Sequence, residues 1–257
     1  ARLGVVASMQ PVHADPAIGA LLQRGSERAT RIQTKLLFFE LEWVAIDDER
    51  AEELLAADGL DFARHHLTLE RRYRPHLLSA PEERIVTELS VTGGGAWSRL
   101  FDELTSAIRV ELPGAEEPVT LDEALSGLFD PDRDKRRQVS DSVTAALQPG
   151  LRTRAYAFNT LLQEKATMDR LRSYPHWLAT RNLSNEASDE SVQALVDAVK
   201  SRYELPRRWY RTKAKLLGIE RLADYDRMAV VGADDEEIGW DEGRGIVLDT
   251  FESVSPR

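Results

Sequence analysis

Ser188 to Ala229 reads SDESVQALVDAVKSRYELPRRWYRTKAKLLGIERLADYDRMA, and its reading decides the fold. The stretch holds two helices in tandem, a glycine stop at Gly218, a short connection and a Tyr225-Asp226 turn. Working outward from it, the rest of the chain repeats the same grammar of amphipathic helices punctuated by Gly, Pro and capping residues. The expected class is therefore mainly α, a multi-helix array with one small β-hairpin.

At 257 residues the chain can bury a sizeable core in one or two domains. No apolar run approaches the roughly 18–20 residues of a membrane span. The densest, Leu36-Leu37-Phe38-Phe39-Glu40-Leu41, is broken by a carboxylate and reads as buried helix. With 34 basic and 44 acidic residues the net charge is −10, which argues against a general nucleic-acid binder. The absence of cysteine excludes disulfides and thiolate zinc sites, and agrees with a reducing cytoplasm. No signal peptide is visible in Ala1–Ala20. The chain opens at Ala1 and closes on Ser255-Pro256-Arg257 just after a helix-like segment, so a piece of something longer is expected.

Taken in order, residues 1–20 read as loop, interrupted by Pro11 and Pro16. Ala29, Ile32, Leu36, Phe39 and Trp43 fall at three- and four-residue steps and predict a helix over Ser26–Ile46. Helices follow from Asp47-Asp48, with Leu54 and Leu55 inward, and over about Leu60–Tyr73. Ser79-Ala80-Pro81-Glu82 has the capping-box form, and a further helix from about Ala96 carries Trp97, Leu100, Phe101 and Leu104. Ile108–Leu112 alternates at period two, Pro113-Gly114 turns, and Pro118-Val119-Thr120 returns, predicting the hairpin. Thr120 caps a short helix, and Asp130-Pro131 caps the charged Asp132–Leu147. Past Gly150 a long helix places Tyr156, Asn159, Leu162 and Ala166 in register. Arg170–Glu186 reads as irregular loop, and Val230–Glu237 as a solvated acidic loop. A last helix puts Trp240, Val247 and Phe251 on one side.

No complete catalytic constellation is present. None of His13, His65, His66, His76 and His176 begins an H-E-x-x-H pair. His65 and His66 lie about 100° apart on a helix and cannot share an ion. His66 and Glu70 could, but two ligands are not a site. Gly93-Gly94-Gly95 before a helix has the look of a phosphate cradle, yet it lacks the Lys-Ser/Thr ending and a preceding strand. A helix-to-helix turn is the expectation. Arg207-Arg208-Trp209-Tyr210-Arg211, with Lys213 and Lys215, suits single-strand stacking. The alternative, favoured by the net charge, is an amphipathic helix with Trp209, Leu216 and Leu217 inward. No nucleophile elbow exists.

Several segments together resemble the oligoendopeptidase F family, relatives of the thimet-oligopeptidase-like zinc metallopeptidases. Arg72-Tyr73-Arg74-Pro75-His76-Leu77-Leu78-Ser79 leads into Glu82-Glu83-Arg84, then Thr92-Gly93 and Ala96-Trp97. Asp132-Arg133-Asp134-Lys135-Arg136-Arg137 is similar to a D-x-x-x-R helix that opens the family's peptidase domain. Lys213-Ala214-Lys215-Leu216-Leu217-Gly218 leading to Tyr225-Asp226 is similar to its K-A-K-L-L-G-x-x-x-L-x-x-Y-D pattern, and the Asp241-Glu242 helix also fits. Departures at Arg227–Val231, Phe158-Asn159 and Leu171-Arg172-Ser173-Tyr174 suggest a divergent branch.

The resemblance implies one lobe of a nearly all-helical clamshell peptidase around a channel that admits short peptides. It implies zinc in the full-length enzyme, held by an H-E-x-x-H helix and a distal Glu C-terminal to everything in this sequence. There the metal polarises the scissile carbonyl and activates water, with the motif Glu as general base. No catalytic or metal-binding residue carries over to this chain, and no residue is singled out for substrate. The expected division is 1–112, an N-terminal helical lobe, and 113–257, the start of the peptidase domain. Expected partners are short peptides and the missing C-terminal catalytic half, with no nucleic acid and no membrane, in the cytoplasm. The alternative is a stand-alone helical module that grips a peptide or protein.

Overall fold

The computed structural model of the chain describes residues 16–232 and 238–255. Its helices, in order, are α1 (Pro16–Ala45), α2 (Asp48–Leu55), α3 (Asp61–Arg71), α4 (Ala80–Leu89) and α5 (Gly94–Ser106). After the strands β1 (Arg109–Val110) and β2 (Val119–Thr120) come α6 (Leu121–Ser126), α7 (Arg133–Leu147) and α8 (Leu151–Leu171). Then follow α9 (Ala179–Ser184), α10 (Asp189–Ser201), α11 (Glu204–Leu216) and α12 (Trp240–Val254), with single 3-10 turns between some of them. The mainly helical class with one antiparallel hairpin is as expected, Arg109 facing Thr120 and Val110 facing Val119. The expected boundary at residues 112 and 113 falls in the loop between the paired strands.

Two small cores hold the array. Trp43, Val44, Ala51 and Leu55 form the first, flanked by Leu67 and Leu77. The second gathers Ile108 and Val110 under Ala124, Val139 and Val143. The first core closes where α1 ends, because two arginines satisfy carbonyls that the helix terminus leaves orphaned. Arg71 donates to the Trp43 and Ile46 carbonyls at 2.8 and 2.7 Å. Arg74 donates to the Val44 and Ile46 carbonyls, both at 2.8 Å. The Trp43 indole N–H in turn reaches the Leu67 carbonyl at 2.7 Å, and the Arg71 guanidinium lies 5.3 Å from the Trp43 ring centre.

Several expectations are corrected. α1 begins at Pro16, so residues 16–20 are helix; residues 1–15 lie outside the described residues. Of the α1 stripe, Trp43 is buried, but Ile32, Leu36 and Phe39 are about half exposed, because only the C-terminal end of α1 sits on the first core. The Leu36–Leu41 run is therefore not buried. α8 packs with α5, the Tyr156 ring lying 5.7 Å from that of Trp97, and of its residues Arg154 and Ala157 are buried while Tyr156 and Leu162 stay more than half exposed. Arg154 caps α7 by donating to the carbonyls of Leu147 and Pro149. The loop expected over Arg170–Glu186 contains α9 and two left-handed non-glycine residues, Ser173 and Glu186. On α12, Trp240, Val247 and Phe251 do share a side, and that side is exposed, Trp240 by 83%. Residues 233–237 of the expected acidic loop lie outside the described residues.

The triple glycine is the turn between α4 and α5, and sterics explain it. The Gly94 amide donates to Glu164 Oε1 of α8 at 2.9 Å, and a Cβ on Gly94 would overlap the Glu164 carboxyl. A Cβ on Gly95 would stand 2.7 Å from the Ser90 carbonyl oxygen. The helix N-terminus thus already holds an anion, a carboxylate of its own chain. Gly95→Ala, whose Cβ would meet backbone, should force α4 and α5 apart at this turn and cost about 1–3 kcal/mol, measurable by urea denaturation.

Candidate functional site

The motif residues of the sequence converge on two polar clusters. In the first, Asp226 is fully buried at the end of the 3-10 turn Asp224–Asp226. Arg133 Nε and Nη2 donate to its two oxygens at 3.1 and 3.0 Å, Arg136 Nη2 at 3.0 Å, and the Ala223 amide at 2.8 Å. Arg133 and Arg136 sit on consecutive turns of α7, so one face of that helix presents both. Arg136, 2% exposed, also donates to the carbonyls of Asp130 and Pro131 at 2.7 and 2.9 Å. Lys213, buried on α11, donates to the Arg227 carbonyl at 2.8 Å. Burial lowers its pKa, Arg136 adds to this, and Asp226 opposes it.

That geometry overturns the expected orientation of α11. Its buried residues are Lys213 and Ala214, while Trp209 and Leu216 are 50% and 61% exposed. Lys213 faces inward because its amine, 14 residues from Arg227, donates to that carbonyl. Arg207 pairs with Glu204 at 2.9 Å and Arg211 with the same carboxylate at 3.6 Å, so the basic run is partly neutralised from within its own helix.

The second cluster joins the Ser79 region to the end of α8. Ser79 and Glu82 form the capping box, and Glu83 beside them is buried. Arg172 grips Glu83 with both nitrogens, at 2.6 and 2.8 Å, and the Leu78 amide adds a bond at 2.9 Å. Arg172 also donates to the His76 carbonyl at 3.1 Å, and His76 Nδ1 returns a bond to the Arg172 carbonyl at 2.9 Å. A carbonyl only accepts, so His76 carries its proton on Nδ1. Its ring stacks on Tyr174 at 3.9 Å. Tyr73, His76, Lys165, Met168 and Tyr174 line a cavity of about 430 Å³ beside it.

Both carboxylates are held ionised. Burial pushes Asp226 upward, but the bonds from Arg133, the Ala223 amide and Arg136 outweigh it and hold the carboxyl below its ordinary range. Burial likewise pushes Glu83 up, and Arg172 and the Leu78 amide pull it below. Such carboxylates have no proton to give near neutral pH, and each of their oxygens accepts from an arginine, so they position helices. Their linkage has one sign: with folded pKa values depressed, the stabilisation is full above the unfolded values, about 4. It is lost as pH falls through the lower folded values. The urea midpoint should stay level from pH 7 to about 5 and fall below about 4, more gently in Asp226→Asn.

The described residues do not gather a zinc site. His65 meets Glu186 at 3.1 Å, His66 meets Glu70 at 3.7 Å, and His176 meets Asp189 at 2.7 Å, each a pair with a different carboxylate. Glu40 is raised by burial, then by Glu70 and Glu83, with His66 opposing. Still, no three His, Asp or Glu side chains among the described residues are grouped as ligands. His13 lies outside the described residues. No described helix is long and apolar enough to cross a membrane.

Residues 42–109 match the N-terminal family model of the peptidase M3 group, described as oligopeptidase F. No curated protein matches the chain. The crystal structure of oligoendopeptidase-F from Enterococcus faecium superposes with a TM-score of 0.79 at 19% identity, covering 98% of this chain and 51% of that one. A candidate peptidase from Chlamydophila abortus superposes at 0.69 and 17% identity, over 87% of this chain and 38% of that one. The chain therefore spans about half the length of the first of these structures. The matched residues 42–109 contain the Arg71 and Arg74 contacts described above, and Glu83 without its partner Arg172. In fold throughout, and in sequence over residues 42–109, the chain is like the N-terminal part of an oligoendopeptidase F.

Proposed function

We propose that the chain is the N-terminal, non-catalytic part of a zinc metallo-oligopeptidase that hydrolyses short peptides inside an enclosed channel. The observation that carries this reading is the superposition of almost the whole chain on half of a solved oligoendopeptidase-F. Two features support it. The motif residues are spent on locking helices together, as in a wall, not on chemistry. The outward side of α12, with Phe251 71% and Val254 80% exposed, offers apolar surface for a catalytic remainder to cover. On this reading the 1–112 lobe and the 113–257 start of the peptidase domain meet along α5 and α8. The zinc, its ligands and the general base belong to the remainder. A cysteine-free composition suits a cytoplasmic enzyme, and the net charge of −10 disfavours nucleic acid as a partner.

The test is the intact mass and metal content of the protein from its native source. A mass about twice 28.9 kDa with one zinc per chain is expected. A mass near 28.9 kDa without zinc would replace this reading with a stand-alone peptide- or protein-binding module. The purified 257-residue chain should leave a quenched peptide substrate uncleaved. Chelator-sensitive cleavage by it would place catalysis within these residues and sink the proposal.

A further inference from the structure

Beside the second polar cluster, whose Glu83 also sits on α4, α1 and α4 lie side by side and leave a trough between them. Arg28, Arg31 and Lys35 recur at three- and four-residue steps along one stripe of α1, and Arg84 faces them from α4. None of the four makes an ion pair with a described residue, and Glu88 is the one acidic side chain lining that end. A local excess of cations on a chain of net charge −10 opposes the bulk field. The other end of the trough is apolar, with Phe38 57% and Ile85 58% exposed. The two ends are adjoining cavities of about 670 and 710 Å³ that share Thr34, Lys35 and Arg84.

We propose that this trough binds a short acidic peptide with its carboxylates in one half and apolar side chains in the other. Thirteen helical steps from Arg28 to Leu41 give about 20 Å, room for about six extended residues. An extended peptide lying along the trough presents its residues in order, so carboxylates in one half reach the arginines while apolar groups in the other half enter the Phe38 end. A nucleic acid or anionic membrane would meet repulsion from the rest of the chain and would leave the apolar floor unused. A second copy of the chain, also at −10, would meet the same repulsion. The inference does not rest on the peptidase reading, since binding here needs no catalysis.

The experiment is fluorescence anisotropy of the purified chain with a labelled six-residue peptide of three Glu followed by three Leu, against its counterpart with three Lys followed by three Leu. Bulk charge alone favours the Lys peptide; the trough should reverse that, with the acidic peptide at least tenfold tighter. Arg31→Glu combined with Lys35→Glu, both at exposed positions, should weaken it at least tenfold, with the helical circular dichroism unchanged. Phe38→Ser should weaken it several-fold, and Arg207→Glu on α11 should leave it as it was. Equal affinity for the two peptides, or indifference to the double reversal, would overturn the proposal. So would tighter binding of single-stranded DNA or phosphatidylserine vesicles at the same residues, or a dimer that the double reversal dissolves in sedimentation.

Discussion

Asp226→Ala should be among the most damaging single substitutions in the chain, lowering stability by about 3–5 kcal/mol. Removing the carboxylate leaves Arg136, 2% exposed, as a buried cation with only carbonyl partners, beside the buried Lys213. The cost is the stranded charge more than the lost bonds, because desolvated groups without a counter-ion cannot recover their hydration. Asp226→Asn keeps one acceptor and the shape, and should fall between alanine and wild type. For a chain of this size the alanine variant should melt on the order of 10 °C lower. A loss within about 0.5 kcal/mol of wild type, the range of an ordinary surface change, would show that the cluster does not hold α7 to the Asp224–Asp226 turn.

The second large effect is expected at the Glu83–Arg172 fork. Glu83→Ala and Arg172→Ala should each cost about 3 kcal/mol, since either change leaves a charged partner unpaired in a mostly buried place. The double variant should cost less than their sum, with a coupling of about 1–3 kcal/mol in the cycle. Arg172→Lys should fail to rescue, because a point charge cannot make the two parallel bonds to Glu83 and also reach the His76 carbonyl. Strict additivity of the two alanine variants in urea denaturation would show that the residues do not act as a pair.

Helix periodicity and capping residues made most of the fold legible. Ser79-x-x-Glu82, Thr120 and Gly150 marked starts that the structure keeps. What failed was the choice of buried face. On α1 and α11 the apolar stripe reads as the inward face, yet Trp209, Leu216 and Leu36 are exposed while Lys213 is buried. Apolar periodicity reports that a face wants a partner, not which partner it has. The polar clusters were half legible: their residues stood out as a recurring pattern, but not as contacts. Asp226 lies 93 residues from Arg133, and no local rule joins such distant positions. Arg172 was missed as a partner because the segment that carries it read as loop, and its left-handed Ser173 has no glycine to announce it.

The Glu83–Arg172 fork closes 89 residues of chain, which gives the molecule a timetable as well as a shape. A ribosome adding about 5–20 residues per second releases Glu83 some 4–18 s before Arg172 exists. For that interval the carboxylate has no counter-ion, and the nascent segment must shelter it with the Leu78 amide alone or leave it in water. The first core, complete by Leu77, can assemble within that wait from contacts close in sequence. Assembly is then ordered by synthesis: a local helical nucleus forms early, and the long-range ion pairs lock it once the ribosome has delivered their second halves.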